Sequence, residues 1–239
     1  MEELLTAFLN HYSYIEVYGL TVLYFIVLYF IVGSLFEKAC QALQKRGLAE
    51  QIHQGKLPTG QTYNDIKNSL VAIGVFGFSS WPLLYLYRAG HFHFETNTVW
   101  QVVLGLIALN VWNEIHFYIV HRLMHTRFFM ANVHHVHHRS RVPTVRSVYS
   151  FHWFEALLLS TVPLTLGSVW PLAPLAIAIY PLNSLLFNFA GHCNYRLLLF
   201  KNTRLDMASR HIQHHRSVHI SYGFVSSWLD RFFKTQSPH

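Results

Sequence analysis

The chain has 239 residues, 52% of them hydrophobic and only 12% charged, with 19 Phe, 13 Tyr and 6 Trp. That is about half the charged share of a soluble domain, so the body is expected to be solvated by lipid, with Trp and Tyr at its interfaces. The formal net charge of +7 does not mark a nucleic-acid binder, because Lys and Arg are scattered through polar loops and not gathered in runs.

Glu2 and Glu3 stand where a signal peptide would carry its basic region, so no cleavable leader is expected. Residues 17–36 are uncharged and long enough to cross the hydrocarbon core as a helix. Residues 69–87 form a second such run. A third, 96–113, stays apolar past Glu114 to Val120. The fourth, 156–191, would make a straight helix of about 54 Å. Gly167, Pro171 and Pro174 sit near its middle, so it reads as a hairpin of two shorter helices. Cys40 and Cys193 form neither a CxxC nor a disulfide framework, which points to a reducing compartment.

The expected fold is all-α: a multi-pass integral membrane helical protein, one membrane-embedded domain over 1–239. It should have about four to five membrane helices and a cytosolic helical cap rich in histidine. With the N-terminus outside, every Lys and Arg except Arg88 falls on the inner side, a strong positive-inside signal. The histidine clusters fall on that cytoplasmic side too.

Those clusters are HRLMH at 121–125, HHVHH at 134–138 and HIQHH at 211–215. His121 and His125 are one helical turn apart. His134 precedes His137 and His138 by three and four residues, and His211 precedes His214 and His215 likewise. Each set is expected to aim two or three imidazoles at one point from a shared helix face, and His192, after the fourth run, could add one more from another direction. So many neutral imidazoles suit iron, copper or zinc, and they exceed the needs of one ion, so two metal ions are the natural reading.

Only 11 acidic residues occur in the chain and none lies within the clusters, which excludes the carboxylate-rich di-iron site of soluble bundles. HExxH and glycine-rich phosphate loops are absent. His116 and His135 point away from their clusters on a helical wheel. His11, His53, His91, His93 and His239 read as isolated surface residues. An alternative class, a divalent-metal-binding or metal-transport protein without oxidase activity, would put ionisable ligands near the midplane of the spans. A bis-histidine cytochrome would pair histidines on facing spans. Neither places dense clusters at one membrane face.

At these residues the chain resembles the fatty acid hydroxylase superfamily, sterol desaturase branch, whose pattern is HxxxH, HxxHH and a late HxxHH. HFYIVHR (116–122) resembles the family's aromatic lead into the first cluster. VPTVRSVYSFHWFE (142–155) resembles the stretch with Pro-Thr and a later Phe-His-Pro-x-Glu. SYGFVSSWLDRFFKT (221–235) resembles the closing Asn-Tyr-Gly…Trp-Asp-Arg-x-Phe-Gly-Thr. The resemblance covers 112–235. Glu114 stands for the usual Asp, Trp153 for proline, Ser221 for asparagine and Lys234 for glycine. Gly191-His192-Cys193-Asn194 is closer to bacterial members than to eukaryotic sterol C5-desaturases.

The resemblance implies a membrane-bound non-haem di-iron oxidoreductase that uses O₂ to desaturate or hydroxylate a C–H bond of a membrane lipid. The implied ligands are His121, His125, His134, His137, His138, His192, His211, His214 and His215. Glu114 would either orient a ligand or serve as a helix-end charge at the interface, and His152, Glu155 and His219 would either orient ligands or anchor the loop. Asp230 reads as a turn or salt-bridge residue. No haem, flavin or ferredoxin signature is present, so electrons would come from an external donor, cytochrome b5-like or ferredoxin-like.

Overall fold

The computed structural model describes residues 8–201, 203 and 205–236; Glu2, Glu3 and His239 lie outside that set. Four helices are long and apolar enough to cross a membrane: α1 (Tyr14–Lys45), α2 (Gln61–Arg88), α3 (Val99–Met124) and α6 (Pro174–His192). Between α3 and α6 lie a short helical segment α4 (127–138) and the shorter apolar helix α5 (Trp153–Gly167). Two small helices follow α6: α7 (Met207–Arg216) and α8 (Trp228–Phe232).

Local chemistry sets these boundaries. Ser13 and Glu16 form a reciprocal capping box at the start of α1, satisfying two backbone donors that the first turn leaves free. Thr98 caps α3 by accepting from Gln101 N. Pro174 opens α6, at a position where its missing N–H costs nothing. The expected hairpin is there, and the chain reverses between Gly167 and Pro174. α1 continues past its uncharged run to Lys45 and includes a π-helical turn at Leu28–Val32.

The outward faces carry Leu20, Leu23, Ile31, Leu35, Ile107 and Val111 in exposed positions. Contiguous apolar surface of this kind is stable against lipid and unfavourable in water. Inside, α1 packs on α2 and α3 packs on α6. Gly105 allows the second contact, since a Cβ there would come within 2.9 Å of Ala176 Cβ. Phe76 and Tyr149 meet edge-on, centroids 4.9 Å apart, and seat the segment before α5 on α2.

The topology sorts the connections by end. The α2–α3 link and the hairpin turn share one end, joined by a bridge between Phe94 and Leu172. The α1–α2 link, the α3–α5 segment and everything after α6 share the other. There β1 (Ala49–Gln51) pairs antiparallel with β2 (Tyr195–Leu197), a small ribbon the hydropathy pattern gives no hint of. Gln61 Nε2 donates to Val142 O at 2.8 Å, and Tyr29 Oη donates to Arg146 O at 2.7 Å. These bonds tie the α3–α5 segment onto α1 and α2, at the end where the histidines gather.

Candidate metal centre

All nine histidines implied as ligands meet at this end of the bundle, in two abutting groups. His121, His125, His134, His138 and His214 form one; His137, His192, His211 and His215 form the other. Within each group the candidate ligand atoms lie within 4.8 Å of one another. The ring centroids of His138 and His215 are 4.6 Å apart across the boundary, and those of His137 and His215 are 4.8 Å apart within the second group.

Of the two or three imidazoles expected from each triplet at one point, two meet there, and the third turns to the adjoining group. His134 and His138 enter the first group, and His137 enters the second. His211 and His215 enter the second, and His214 enters the first. The i and i+4 residues stay together because they differ by only about 40° around the helix. The i+3 residue lies about 100° from its i+4 neighbour, enough to reach the adjoining group. Each triplet therefore straddles both groups and fixes their spacing. His135 belongs to neither group, and His116 instead meets Thr161 Oγ1 at 2.9 Å.

Backbone carbonyls orient several rings. His121 Nδ1 donates to Tyr222 O at 2.9 Å, His192 Nδ1 to Asn188 O at 3.0 Å, and His214 Nδ1 to Ile220 O at 2.7 Å. A carbonyl only accepts, so each of these Nδ1 atoms holds the hydrogen and each Nε2 keeps its lone pair. Glu155 Oε1 lies 2.8 Å from His134 Nδ1, both groups almost fully buried. Carboxylate and carbonyl partners of this kind fix tautomer and ring angle in metal sites.

The inward nitrogens lack adequate partners. Nε2 of His134 and of His214 are buried with no hydrogen-bond partner. His211 Nε2 lies 2.9 Å from His192 Nε2 and 3.0 Å from His215 Nε2. His125 Nε2 stands similarly between His121 at 3.2 Å and His138 at 3.3 Å. One hydrogen on the central nitrogen cannot give both neighbours their own bond, and unsatisfied buried groups cost about 1–3 kcal/mol each. A cation among the lone pairs resolves the conflict, so the residues present fit a metal at each group. Burial first, then repulsion from neighbouring imidazoles, holds His125, His137, His211 and His215 well below the ordinary histidine range. Burial likewise takes His138 to about 2 and His214 to about 4. The rings are therefore neutral and available as ligands.

The four expected supporting residues divide. Only Glu155 faces a cluster ring. His152 caps α5, its Nδ1 accepting from Phe154 N at 3.2 Å. His219 is exposed. Glu114 accepts from Val225 N at 2.7 Å and Ser226 N at 3.1 Å, so it reaches His121 only through the loop that carries Tyr222. Asp230 clamps the same loop, accepting from Tyr222 N at 2.8 Å and Gly223 N at 2.9 Å. Gly223 is required there, because a Cβ would sit 2.3 Å from Ser226 O. The chain's Glu-x-x-His, from Glu50 to His53, lies apart at β1, where Glu50 pairs with Arg196.

Sequence reading missed the orienting carbonyls of Asn188, Ile220 and Tyr222, since a backbone acceptor leaves no side-chain signature. It also missed Arg210, a half-buried cation beside His121 and His211 that donates to Val225 O. A cavity of about 420 Å³ runs up between α1, α2, α3, α5 and α6. Phe117, Phe151, Asn188 and Phe224 line both this cavity and a space of about 30 Å³ beside His121, His134, His137, His192 and His211.

A profile of the family described as fatty acid hydroxylase matches residues 106–235. Among curated proteins, the chain is similar to the Delta(7)-sterol 5(6)-desaturase erg3C of Aspergillus fumigatus, 24% identical over 218 residues. That likeness covers 77% of this chain and 65% of the relative's length. No solved structure matches.

Proposed function

We propose that this chain, which belongs to the fatty acid hydroxylase family, is a membrane-embedded oxidoreductase that uses O₂ and two iron ions to desaturate or hydroxylate a C–H bond of a lipid. The observation that carries this reading is the position of nine imidazoles, in two abutting groups, at one end of a mainly apolar cavity. His121, His125, His134, His138 and His214 would hold one ion, and His137, His192, His211 and His215 the other. When bound, the irons supply the activation of O₂ and the oxidising power.

The protein's own part is positioning. Carbonyls of Asn188, Ile220 and Tyr222 and the carboxylate of Glu155 fix the rings. Phe117, Phe151 and Phe224 keep the passage between cavity and histidines apolar, so a lipid chain is received and water is kept out. Electrons come from an external cytochrome b5-like or ferredoxin-like carrier. The exposed Arg139, Arg141, Lys201 and Arg216 can steer an acidic partner to the histidine end. By the positive-inside count that end is cytoplasmic. The relative's name makes a sterol one candidate substrate, beside fatty acyl and alkyl lipids.

Metal analysis of protein purified in detergent is the first test. About two irons per chain and no haem absorption band are expected; a fully folded protein without metal overturns the reading. Lipid mass spectrometry of cells carrying wild type or His138→Ala is the second. An oxidised lipid should disappear in the variant, and identical profiles at equal expression, with substrate supplied, overturn it.

A further inference from the structure

We propose that Asn113 and Tyr180 form a recognition point for a hydroxyl group, so that the cavity selects an uncharged lipid alcohol over its deoxy counterpart. This rests on the lipid-oxidising reading above and narrows the substrate to a chemical class.

The cavity follows one face of α6 from Pro174 to Asn188, about 21 Å along the helix. That is a length suited to an extended lipid lying parallel to the bundle. Its lining holds no Asp, Glu, Lys or Arg, so a carboxylate or phosphate headgroup could be buried there only at high cost. Asn113 and Tyr180 are among the buried lining residues that carry a polar atom, each 7% exposed and on facing helices. Tyr180 Oη donates to Asn113 Oδ1 at 2.8 Å. That bond leaves the two amide N–H groups of Asn113 outside it, while the Tyr180 oxygen also meets the side chain of Ser184, another residue of the lining.

A nearby pair shows what a purely structural clasp looks like. Asn183 Nδ2 donates to Asn110 Oδ1 at 2.7 Å, joining the same two helices, and neither residue lines the cavity. Helix packing thus has its own polar tie, and the Asn113–Tyr180 pair is distinguished by facing the ligand space. A hydroxyl oxygen there accepts from the amide and its hydrogen is taken by the tyrosine oxygen. A deoxy lipid in the same place leaves the Asn113 amide N–H groups desolvated and unpaired, the condition under which polar sites discriminate most strongly. Asn113 lies eight residues before His121, about 12 Å along α3. The hydroxyl is therefore anchored in the middle of the cavity while another part of the lipid reaches Phe117, Asn188 and the histidines.

The test is equilibrium binding to metal-loaded protein in nanodiscs, with cholesterol against cholest-5-ene and 1-hexadecanol against hexadecane. Wild type should prefer at least one alcohol over its deoxy partner by about tenfold or more. Asn113→Leu and the milder Tyr180→Phe should each bring that preference to within about twofold. Asn183→Leu, which breaks the clasp outside the cavity, should lower thermal stability and leave the preference in place. Equal binding of alcohol and deoxy lipid by wild type, no saturable binding of either alcohol, or a preference that survives both cavity variants overturns the proposal. Binding is read without turnover. Loss of the alcohol preference with lipid oxidation intact in cells therefore rejects this inference alone, and preference without oxidation rejects the oxidase reading alone.

Discussion

Ser221 and Lys234 occupy the left-handed region, at φ 59° and 56°. A residue with a Cβ pays about 1–2 kcal/mol in that conformation. These are two of the positions where the chain departs from the sterol desaturase pattern, which has asparagine and glycine there, the residues that adopt positive φ most readily. Ser221→Asn and Lys234→Gly are each expected to stabilise the protein by roughly 0.5–1 kcal/mol. A thermal melt of the metal-loaded protein checks this, and a fall in Tm for both would mean that the native side chains make compensating contacts. Trp153 is the first residue of α5, a position that favours the proline of the pattern because no N–H partner is needed, and nothing in the structure explains the tryptophan. Glu155→Gln keeps the size of the side chain facing His134 and removes its charge. It should weaken metal binding about 10- to 100-fold with the fold unchanged, as read by iron titration beside circular dichroism. Unchanged affinity would reduce Glu155 to a packing residue.

At the scale of elements, helical spacing made the clusters legible, and their division was not. His134, His137 and His138 share a short helix that sits between two groups, so neighbouring residues serve different centres. This predicts a split by residue. His125→Ala and His137→Ala should each keep about one bound iron per chain, from opposite groups, and the double variant should keep none. Elemental analysis with a fold check reads the outcome; loss of both irons in each single variant would mean that the nine imidazoles act as one cooperative site. The loop of residues 220–226 belongs at this scale too. Glu114 from α3 and Asp230 from α8 hold it, and it presents the carbonyls of Ile220 and Tyr222 to His214 and His121. A loop, the helix that follows it and a helix more than a hundred positions away thereby set the angle of two rings.

For the whole molecule, the histidine end is a polar interior that helix packing alone leaves unsatisfied. Removing metal should therefore destabilise more than the local site. Chelation is expected to lower Tm by at least about 5 °C, with recovery on adding ferrous iron. A melt in detergent with and without chelator measures it, and an unchanged Tm would mean that the buried nitrogens find partners among themselves or with water. The β1–β2 ribbon and the bonds from α1 and α2 to Val142 and Arg146 close this end around the site. The opposite end is closed by the Phe94–Leu172 bridge, with the cavity running between.

The sequence alone determined the apolar spans, the hairpin broken at Gly167 and Pro174, and the three histidine clusters with their helical spacing, because hydropathy and helical period are properties of neighbours along the chain. It could separate His135 from His134, His137 and His138 for the same reason. Only the tertiary structure decided how nine rings divide into five and four, that Glu155 meets a ring while His152 caps a helix, and that Asn113 and Tyr180 face a cavity. Those outcomes depend on where backbone carbonyls and facing helices come to lie, and contacts between residues tens of positions apart leave no period in the sequence.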